Sequence, residues 1–266
     1  MRDWNAAAYH RVSNPQLEWG LPVLARLPLE GGELVLDVGC GTGRLTEKLI
    51  DRLPHGRVVA VDRSSSMIAA ARNYLVPRGH DRVTFAQADA AALPFDAVAD
   101  AVFSTATFHW VLDHERLFSS LFAALKPGGR LVAQAGGGPN LHRIHERCAV
   151  IMRDPGFAPH FTRWANPWEF ADAAVTSRRL QHAGFEQIEA SLVPSPVYQP
   201  DAPAYREFVE HVICRPHLSH LPTAELRDRF LDRLTDAAAK DTPPFELDYW
   251  RLNLDARKPV RAGLRA

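Results

Sequence analysis

The sequence predicts an α/β fold built around a parallel sheet, and three observations support this prediction. Apolar segments typical of buried strands alternate with helical patterns between residues 34 and 135, which is the order expected of βαβ units. The first strand leads into a glycine-rich turn, Asp37-Val-Gly-Cys-Gly-Thr-Gly43. A second carboxylate, Asp62, ends the next strand, about 20 residues beyond the turn, where many nucleotide-binding proteins hold a ribose.

The periodicity of apolar residues places the individual elements. Strands are predicted at residues 34–38, 57–61, 82–86, 98–103, 129–135, 185–193 and 245–254. Helices are predicted near residues 43–53, 64–75, 113–125, 139–152, 169–183, 202–213 and 223–239. A further helix is expected to begin at Asn14-Pro15, a capping residue followed by proline. Lys126-Pro-Gly-Gly129 predicts the turn before the fifth strand.

The irregular segments divide the chain into a core and additions to it. We expect residues 1–30 to form an N-terminal helical flap. The sheet-containing core is predicted to comprise residues 31–136, 176–194 and 245–258. Two insertions, 137–175 and 195–244, contain loops rich in proline and aromatic residues as well as helices. We interpret these insertions as the material of a substrate lid.

Charge and composition argue against several classes of protein. Lys and Arg together number 31, as do Asp and Glu, so no basic surface indicates nucleic acid as the main partner. No apolar run approaches the roughly 18 residues of a membrane-spanning helix, and residues 1–5 lack the apolar core of a signal peptide. The cysteines at 40, 148 and 214 form no CxxC pair. We therefore expect a cytoplasmic protein, either a monomer or a homodimer, with no membrane partner.

The glycine turn indicates a site for a nucleotide-containing cofactor. Gly39 and Gly41 allow the backbone to turn tightly and to approach a ligand closely. The N–H groups at the start of the following helix can face polar or anionic atoms. The spacing Asp-x-Gly-x-Gly-x-Gly differs from the dinucleotide fingerprint G-x-G-x-x-G, which argues against a dinucleotide-dependent oxidoreductase.

Four motifs together resemble those of the class I S-adenosylmethionine-dependent methyltransferases. They are the turn Asp37–Gly43, the segment Asp62-Arg-Ser-Ser-Ser-Met67, the segment Ala88-Asp89-Ala90 followed by Leu93-Pro94-Phe95, and the junction Leu125-Lys-Pro-Gly-Gly-Arg-Leu131. The resemblance covers most of residues 1–255. It implies a seven-stranded Rossmann-like sheet in the order 3-2-1-4-5-7-6, with strand 7 antiparallel, and helical lid insertions. Within the family, His109-Trp110 and Arg215-Pro216 are similar to segments of the bacterial trans-aconitate methyltransferases.

The resemblance implies S-adenosyl-L-methionine as the cofactor and assigns roles along the chain. The glycines would hold its methionine part, Asp37 would orient its amino group with the main chain near Ser104, and Asp62 would accept bonds from its ribose. Met67, Asp89 and Ala90 would contact the adenine, and Tyr9 would reach the cofactor from the flap. The candidate cofactor-binding residues are Tyr9, Asp37, Gly39, Gly41, Gly43, Asp62, Arg63, Met67, Asp89, Ala90 and Ser104.

Structural roles stay open for several of these residues. Asp62 can instead cap the helix that begins near Ser64. Met67 can be a core side chain, and Asp89 can cap its own loop. In the flap, Tyr9 and its aromatic neighbours can simply pack the N-terminal helix on the sheet.

His109 is the candidate catalytic residue. It follows the fourth predicted strand, at the carboxyl edge of the sheet, where ligands bind near the switch in strand order. With an ordinary pKa near 6.5, it could deprotonate a hydroxyl acceptor, bind the substrate without proton transfer, or serve the structure alone. Arg215 lies among apolar neighbours and is a candidate carboxylate clamp or a surface charge.

Histidine pairs at helical spacing raise the question of a metal. His142 and His145, and likewise His217 and His220, are three residues apart. Neither pair is combined along the chain with cysteines or acids at a recognised zinc spacing. We therefore expect no metal.

The sequence thus predicts a methyltransferase that acts on a small molecule and releases S-adenosyl-L-homocysteine. O-methylation is favoured, on a carboxylate or a hydroxyl. A carboxylate is ionised at neutral pH and needs no base, whereas a hydroxyl would need His109. The alternatives are N- or C-methylation of a natural product and a non-catalytic module that binds S-adenosylmethionine.

Overall fold

A seven-stranded mixed sheet forms the centre of the molecule. A computed structural model describes residues 14–260, with side chains from residue 17 onward. The strands are β1 (Leu34–Val38), β2 (Arg57–Asp62), β3 (Val83–Gln87), β4 (Ala99–Thr105), β5 (Leu125–Gly136), β6 (Glu186–Pro194), β7 (Val197–Tyr198), β8 (Glu246–Leu247) and β9 (Trp250–Arg257). The sheet order is β3-β2-β1-β4-β5-β9-β6, with β9 antiparallel to β5 and β6, while β7 and β8 form a separate pair.

Helices cover the sheet and form an additional layer. They are α1 (Asn14–Arg26), α2 (Arg44–Asp51), α3 (Ser65–Leu75), α4 (His114–Ala124), α5 (His142–Arg153), α6 (Ala173–His182), α7 (Ala202–Phe208), α8 (Arg215–Leu218) and α9 (Ala224–Ala238). A π-helical turn, Val209–Ile213, continues α7 toward α8. Asp113, Asp172 and Thr223 each accept a backbone N–H that the first turn of a helix leaves unpaired.

The predicted sheet order is confirmed, with β9 as the seventh core strand. Two of the predicted strands have boundaries that differ from the structure by more than two residues. The fifth strand already begins at Leu125, because Lys126-Pro-Gly-Gly129 forms an irregular part of β5, where the register shifts opposite Ala99. The last predicted strand is divided into β8 and β9 by a turn in which the Tyr249 N–H donates to the Leu247 carbonyl.

Both faces of the parallel strands are buried. Val35 belongs to a cluster with Leu49 and Phe103 on one face, and Leu36 to a cluster with Val102 on the other. Successive strand residues point to opposite faces, and helices cover both sides of a parallel sheet, so its strands consist almost entirely of apolar residues.

A third hydrophobic cluster lies in the segments predicted to be insertions. Ile144 comes from α5, Tyr205 and Phe208 from α7, and Phe230 from α9. The two insertions, far apart in sequence, therefore pack on each other. The division of the chain into core and lid stays a prediction.

In residues 14–260, none of the helices has the length and apolar character that crossing a membrane requires.

Asp37 is a buried carboxylate at the junction of β1 and α2. Its side chain is 2% exposed and accepts a hydrogen bond of 2.6 Å from the Thr46 hydroxyl. Burial raises the pKa of Asp37 to about 7, and the charge of Asp62 acts in the same direction, while the Thr46 hydroxyl opposes the shift. The folded protein therefore retains this proton at pH values where an unfolded chain has lost it.

We expect Asp37→Asn to flatten the pH dependence of stability. Between about pH 4 and about pH 7, the folded wild type binds one more proton than the unfolded chain, so its free energy of unfolding falls as pH rises. Asparagine cannot titrate and retains an acceptor for Thr46. Urea unfolding at several pH values checks this, with the exposed Asp96→Asn as the control. Parallel pH curves for wild type and Asp37→Asn would contradict it.

Candidate functional site

The glycine turn after β1 is held against the end of β2. The Gly39 and Cys40 N–H groups both donate to the Val61 carbonyl, at 2.7 and 3.0 Å. Gly39, Gly41 and Gly43 have φ angles of 82°, 53° and 86°, in the left-handed region that favours glycine. A Cβ on Gly39 would lie 1.8 Å from the Thr107 hydroxyl oxygen, so only glycine allows this approach to the segment after β4.

Asp62 connects this turn to the next helix. One carboxylate oxygen accepts the Gly41 N–H at 3.0 Å, and the other accepts the Ser64 N–H at 2.9 Å. The Ser64 hydroxyl, and not Asp62, accepts the Met67 N–H and caps α3. The Asp62 carboxylate lines the cavity next to the glycine turn.

A cavity of about 610 Å³ runs along the carboxyl ends of β1, β2 and β4. Most of the predicted cofactor-binding residues and the predicted catalytic histidine line it. These are Gly39, Gly41, Asp62, Arg63, Met67, Asp89, Ala90 and His109. Asp89 also caps the short helix that follows it, through a hydrogen bond of 2.9 Å from the Ala91 N–H. The loop-capping and cavity-lining roles of Asp89 are therefore compatible.

Three predicted residues lie behind the cavity wall. Asp37 is bonded to Thr46, as described above, and Gly43 packs against Ala71 of α3. Ser104 is 1% exposed and donates its hydroxyl proton to the Val38 carbonyl at 2.7 Å. The wall beyond β4 is formed instead by the next three residues, 105–107. Tyr9 lies outside the described residues.

The individual residues of the other wall of the cavity were not predicted from the sequence, although the insertions that supply most of them were interpreted as a substrate lid. Its side chains come from both predicted insertions, from the turn before β9 and from the start of β9 itself: Asn140, Leu141, His145, Trp168, Phe170, Val212, Ile213, Tyr249 and Arg251. These residues have no common spacing along the chain. A local indication in the sequence was the concentration of aromatic residues between 161 and 170.

His109 is a neutral, half-buried imidazole in this wall. Its Nδ1 accepts the Gly136 N–H at 3.3 Å, and its ring stacks on Phe170 with centroids 5.7 Å apart. Burial lowers the pKa of His109 to about 3, and the charges of Arg251, His114 and His145 add to that effect. At neutral pH the ring is therefore unprotonated and a weak general base.

Arg251 places a buried positive charge at the cavity. It is 4% exposed, its Nε donates to the Gln134 amide oxygen at 3.2 Å, and its guanidinium carbon lies 4.5 Å from the centre of the Trp19 ring. The other candidate clamp, Arg215, begins α8 and is not among the residues that line the cavity.

Comparison with known proteins agrees with this geometry. Residues 35–129 match the family model described as a methyltransferase domain. The trans-aconitate 2-methyltransferase of Variovorax paradoxus is 34% identical over 242 residues, with 87% of each chain covered. That of Methylobacterium radiotolerans is 31% identical over 254 residues, with 92% of each chain covered.

Solved structures share the fold at lower identity. A Haemonchus contortus phosphoethanolamine N-methyltransferase 2 in complex with S-adenosyl-L-methionine aligns with a TM-score of 0.63 and 20% identity, covering 96% of this chain and 56% of that chain. The geranyl diphosphate C-methyltransferase of Streptomyces coelicolor aligns with a TM-score of 0.52 and 18% identity, covering 94% and 80%. The chain belongs to the class I S-adenosylmethionine-dependent methyltransferases, as shown by the sheet order, the glycine turn and the relatives that match over most of its length.

Proposed function

We propose that this methyltransferase methylates a carboxylate oxygen of a small organic acid of the trans-aconitate type. The single observation that carries the proposal is Arg251, a buried guanidinium that lines the same cavity as Gly39 and Gly41 of the glycine turn. A guanidinium can hold a carboxylate through two parallel hydrogen bonds. The names of the full-length relatives point to the same class of acceptor.

The residues at the carboxyl edge of the sheet fit the cofactor. Gly39 and Gly41 present backbone without a side chain to the cavity, and Asp62, which lines the same cavity, is a carboxylate with two acceptor oxygens, the chemistry suited to a diol. Met67, Asp89 and Ala90 line the part of the cavity next to them, and we assign them to the adenine. Asp37, Gly43 and Ser104 support this surface from behind, and we assign Arg63 to its rim. When bound, S-adenosylmethionine supplies an electrophilic methyl group on a sulfonium.

The state of His109 favours an acceptor that needs no base. Carboxylic acids ordinarily ionise near pH 4, so the acceptor would enter already charged. A phenol or alcohol would need a base with a pKa near the working pH, and His109, with a pKa of about 3, does not meet that requirement. We therefore assign His109 to positioning the acceptor. Alignment of the reacting atoms is the main contribution left to the protein, and such effects can reach about 7–11 kcal/mol.

The two predicted insertions serve, in this proposal, as the lid that excludes water. His145, Trp168 and Phe170 come from the first, and Val212 and Ile213 from the second. Their rings and aliphatic side chains surround the charged acceptor with apolar surface. Electrostatic attraction between the acceptor and Arg251 is stronger in such surroundings than in water.

Replacement of Arg251 tests the proposal. We expect Arg251→Met to raise KM for the acid by roughly 10- to 150-fold, since a hydrogen bond to a charged group contributes about 1.5–3 kcal/mol, with little change in cofactor affinity. Arg251→Lys should lie between Arg251→Met and wild type. Formation of S-adenosylhomocysteine is followed with trans-aconitate, other acids, phenols and amines.

The exposed Arg257→Met, on the same strand, is the matched control and should behave as wild type. Turnover of phenols or amines but of no acid would refute the carboxylate proposal. Cofactor binding without turnover on any acceptor would instead favour a non-catalytic module.

Asp62→Ala is expected to weaken binding of S-adenosylhomocysteine by at least about tenfold, because hydrogen bonds to a charged carboxylate contribute about 1.5–3 kcal/mol each. Calorimetric titration measures this, with the exposed Asp96→Ala as the control. Asp62→Ala also removes the hydrogen bonds from the Gly41 and Ser64 N–H groups. The melting temperature of the cofactor-free variant shows whether this loss destabilises the fold, apart from any loss of cofactor contacts. An unchanged affinity would remove Asp62 from the site.

The pH dependence of turnover tests the role of His109. At saturating cofactor and acid, kcat should be flat between about pH 6 and pH 8, because no group acts there as an essential base. His109→Gln should lower kcat while the profile stays flat. A wild-type rate that climbs with pH, and loses that rise in His109→Gln, would show that His109 is the base after all.

A further inference from the structure

Two cysteines and a histidine meet inside the helical layer. Cys148 lies on α5, Cys214 directly precedes α8, and His217 lies within it. Their potential ligand atoms all lie within 4.8 Å of one another, and the two sulfur atoms are 3.8 Å apart. The three residues are 1%, 0% and 2% exposed. Nothing in the proposed methyl transfer uses them.

His145 belongs to the same neighbourhood. It precedes Cys148 by three residues, as Cys214 precedes His217, and residues at this spacing share one face of a helix. The imidazole rings of His145 and His217 have centroids 6.5 Å apart. The cluster is thus made of a His-x-x-Cys pair and a Cys-x-x-His pair from two different segments.

Unpaired nitrogen atoms distinguish this cluster from an ordinary apolar core. His145 Nε2 and His217 Nδ1 are buried and have no hydrogen-bond partner among the described residues. Buried polar atoms are nearly always paired, because an unpaired one loses its bonds to water without replacement. The His217 ring is fixed in place by stacking on Trp164, with centroids 4.4 Å apart.

We propose that Cys148, Cys214 and His217 bind a zinc ion, with a water molecule on the side of His145 as the fourth ligand. Thiolate sulfur and imidazole nitrogen are the ligands of protein zinc sites, which prefer four ligands. Two thiolates balance the charge of Zn²⁺, so the buried group is neutral, which matters because a net charge is costly to bury. On binding, the two thiols release their protons to solvent.

Such an ion would join the two predicted insertions. Cys148 lies in the first and the Cys214–His217 pair in the second. His145 lines the substrate cavity as well, so the ion would fix that part of the wall. Zinc binding at these residues does not depend on the identity of the methyl acceptor and can be measured without turnover.

Metal binding to the reduced full-length protein tests the proposal. We expect about one equivalent of Zn²⁺ per chain in competition with a chromophoric chelator. Co²⁺ should give a thiolate-to-metal charge-transfer band and the visible absorption of a tetrahedral site. Zn²⁺ should also raise the melting temperature, since it binds the folded state.

Each ligand variant, Cys148→Ser, Cys214→Ser or His217→Ala, should lose the cobalt band. Each should also bind Zn²⁺ more weakly than wild type. Loss of a residue that only supports a ligand weakens metal binding by roughly 10- to 100-fold, so loss of a ligand should weaken it by at least that much. Two variants are the matched controls: His142→Ala, on the exposed face of α5, and Cys40→Ser, at the glycine turn. Both should keep the cobalt band and the wild-type zinc affinity. Circular dichroism shows whether each variant is folded.

Three results would refute the proposal. Absence of the cobalt thiolate band, or zinc affinity equal in wild type and Cys148→Ser, would overturn it. So would a native disulfide between Cys148 and Cys214, recognised by a single free thiol in the denatured, unreduced chain.

Discussion

The attachment of the glycine turn to the end of β2 is the constraint on which the site depends. The Val61 carbonyl holds the turn through two N–H groups, and Asp62 holds it through Gly41 while also binding the start of α3. Gly39 allows the segment after β4 to close over the turn. These contacts fix three neighbouring strand ends relative to one another, and the cavity is the space they leave.

Burial sets the charge of the groups around that cavity. It raises the pKa of Asp37 and lowers the pKa of His109, because removal of water disfavours the charged form of each. Arg251 stays a guanidinium in all ordinary protein environments. The neutral imidazole of His109 and the positive charge of Arg251 suit an acceptor that carries its own negative charge. The proposed reaction, methylation of a carboxylate, has such an acceptor.

The helical layer contributes both to the cavity and to the proposed zinc site. Its surface facing the sheet supplies the aromatic wall of the cavity, while its interior contains the cluster of Cys148, Cys214 and His217. His145 takes part in both, because it lies between the cavity and the cluster. A change in the packing or ligation of the cluster would therefore be passed to the wall of the cavity, and so to the acceptor, through the side chain of His145.

The sequence by itself determined the fold and the cofactor, and it named most of the residues that line one side of the cavity, since strand periodicity, the glycine spacing and Asp62 are local patterns whose physical requirements act within a few residues. It predicted no metal, and it named Arg215 rather than Arg251. Only the tertiary structure brought together Arg251 from β9 with His109, and Cys148 with Cys214, because these groupings depend on how distant segments pack. The pKa of His109 was likewise decided by packing, since burial is a property of the folded chain and not of the residue.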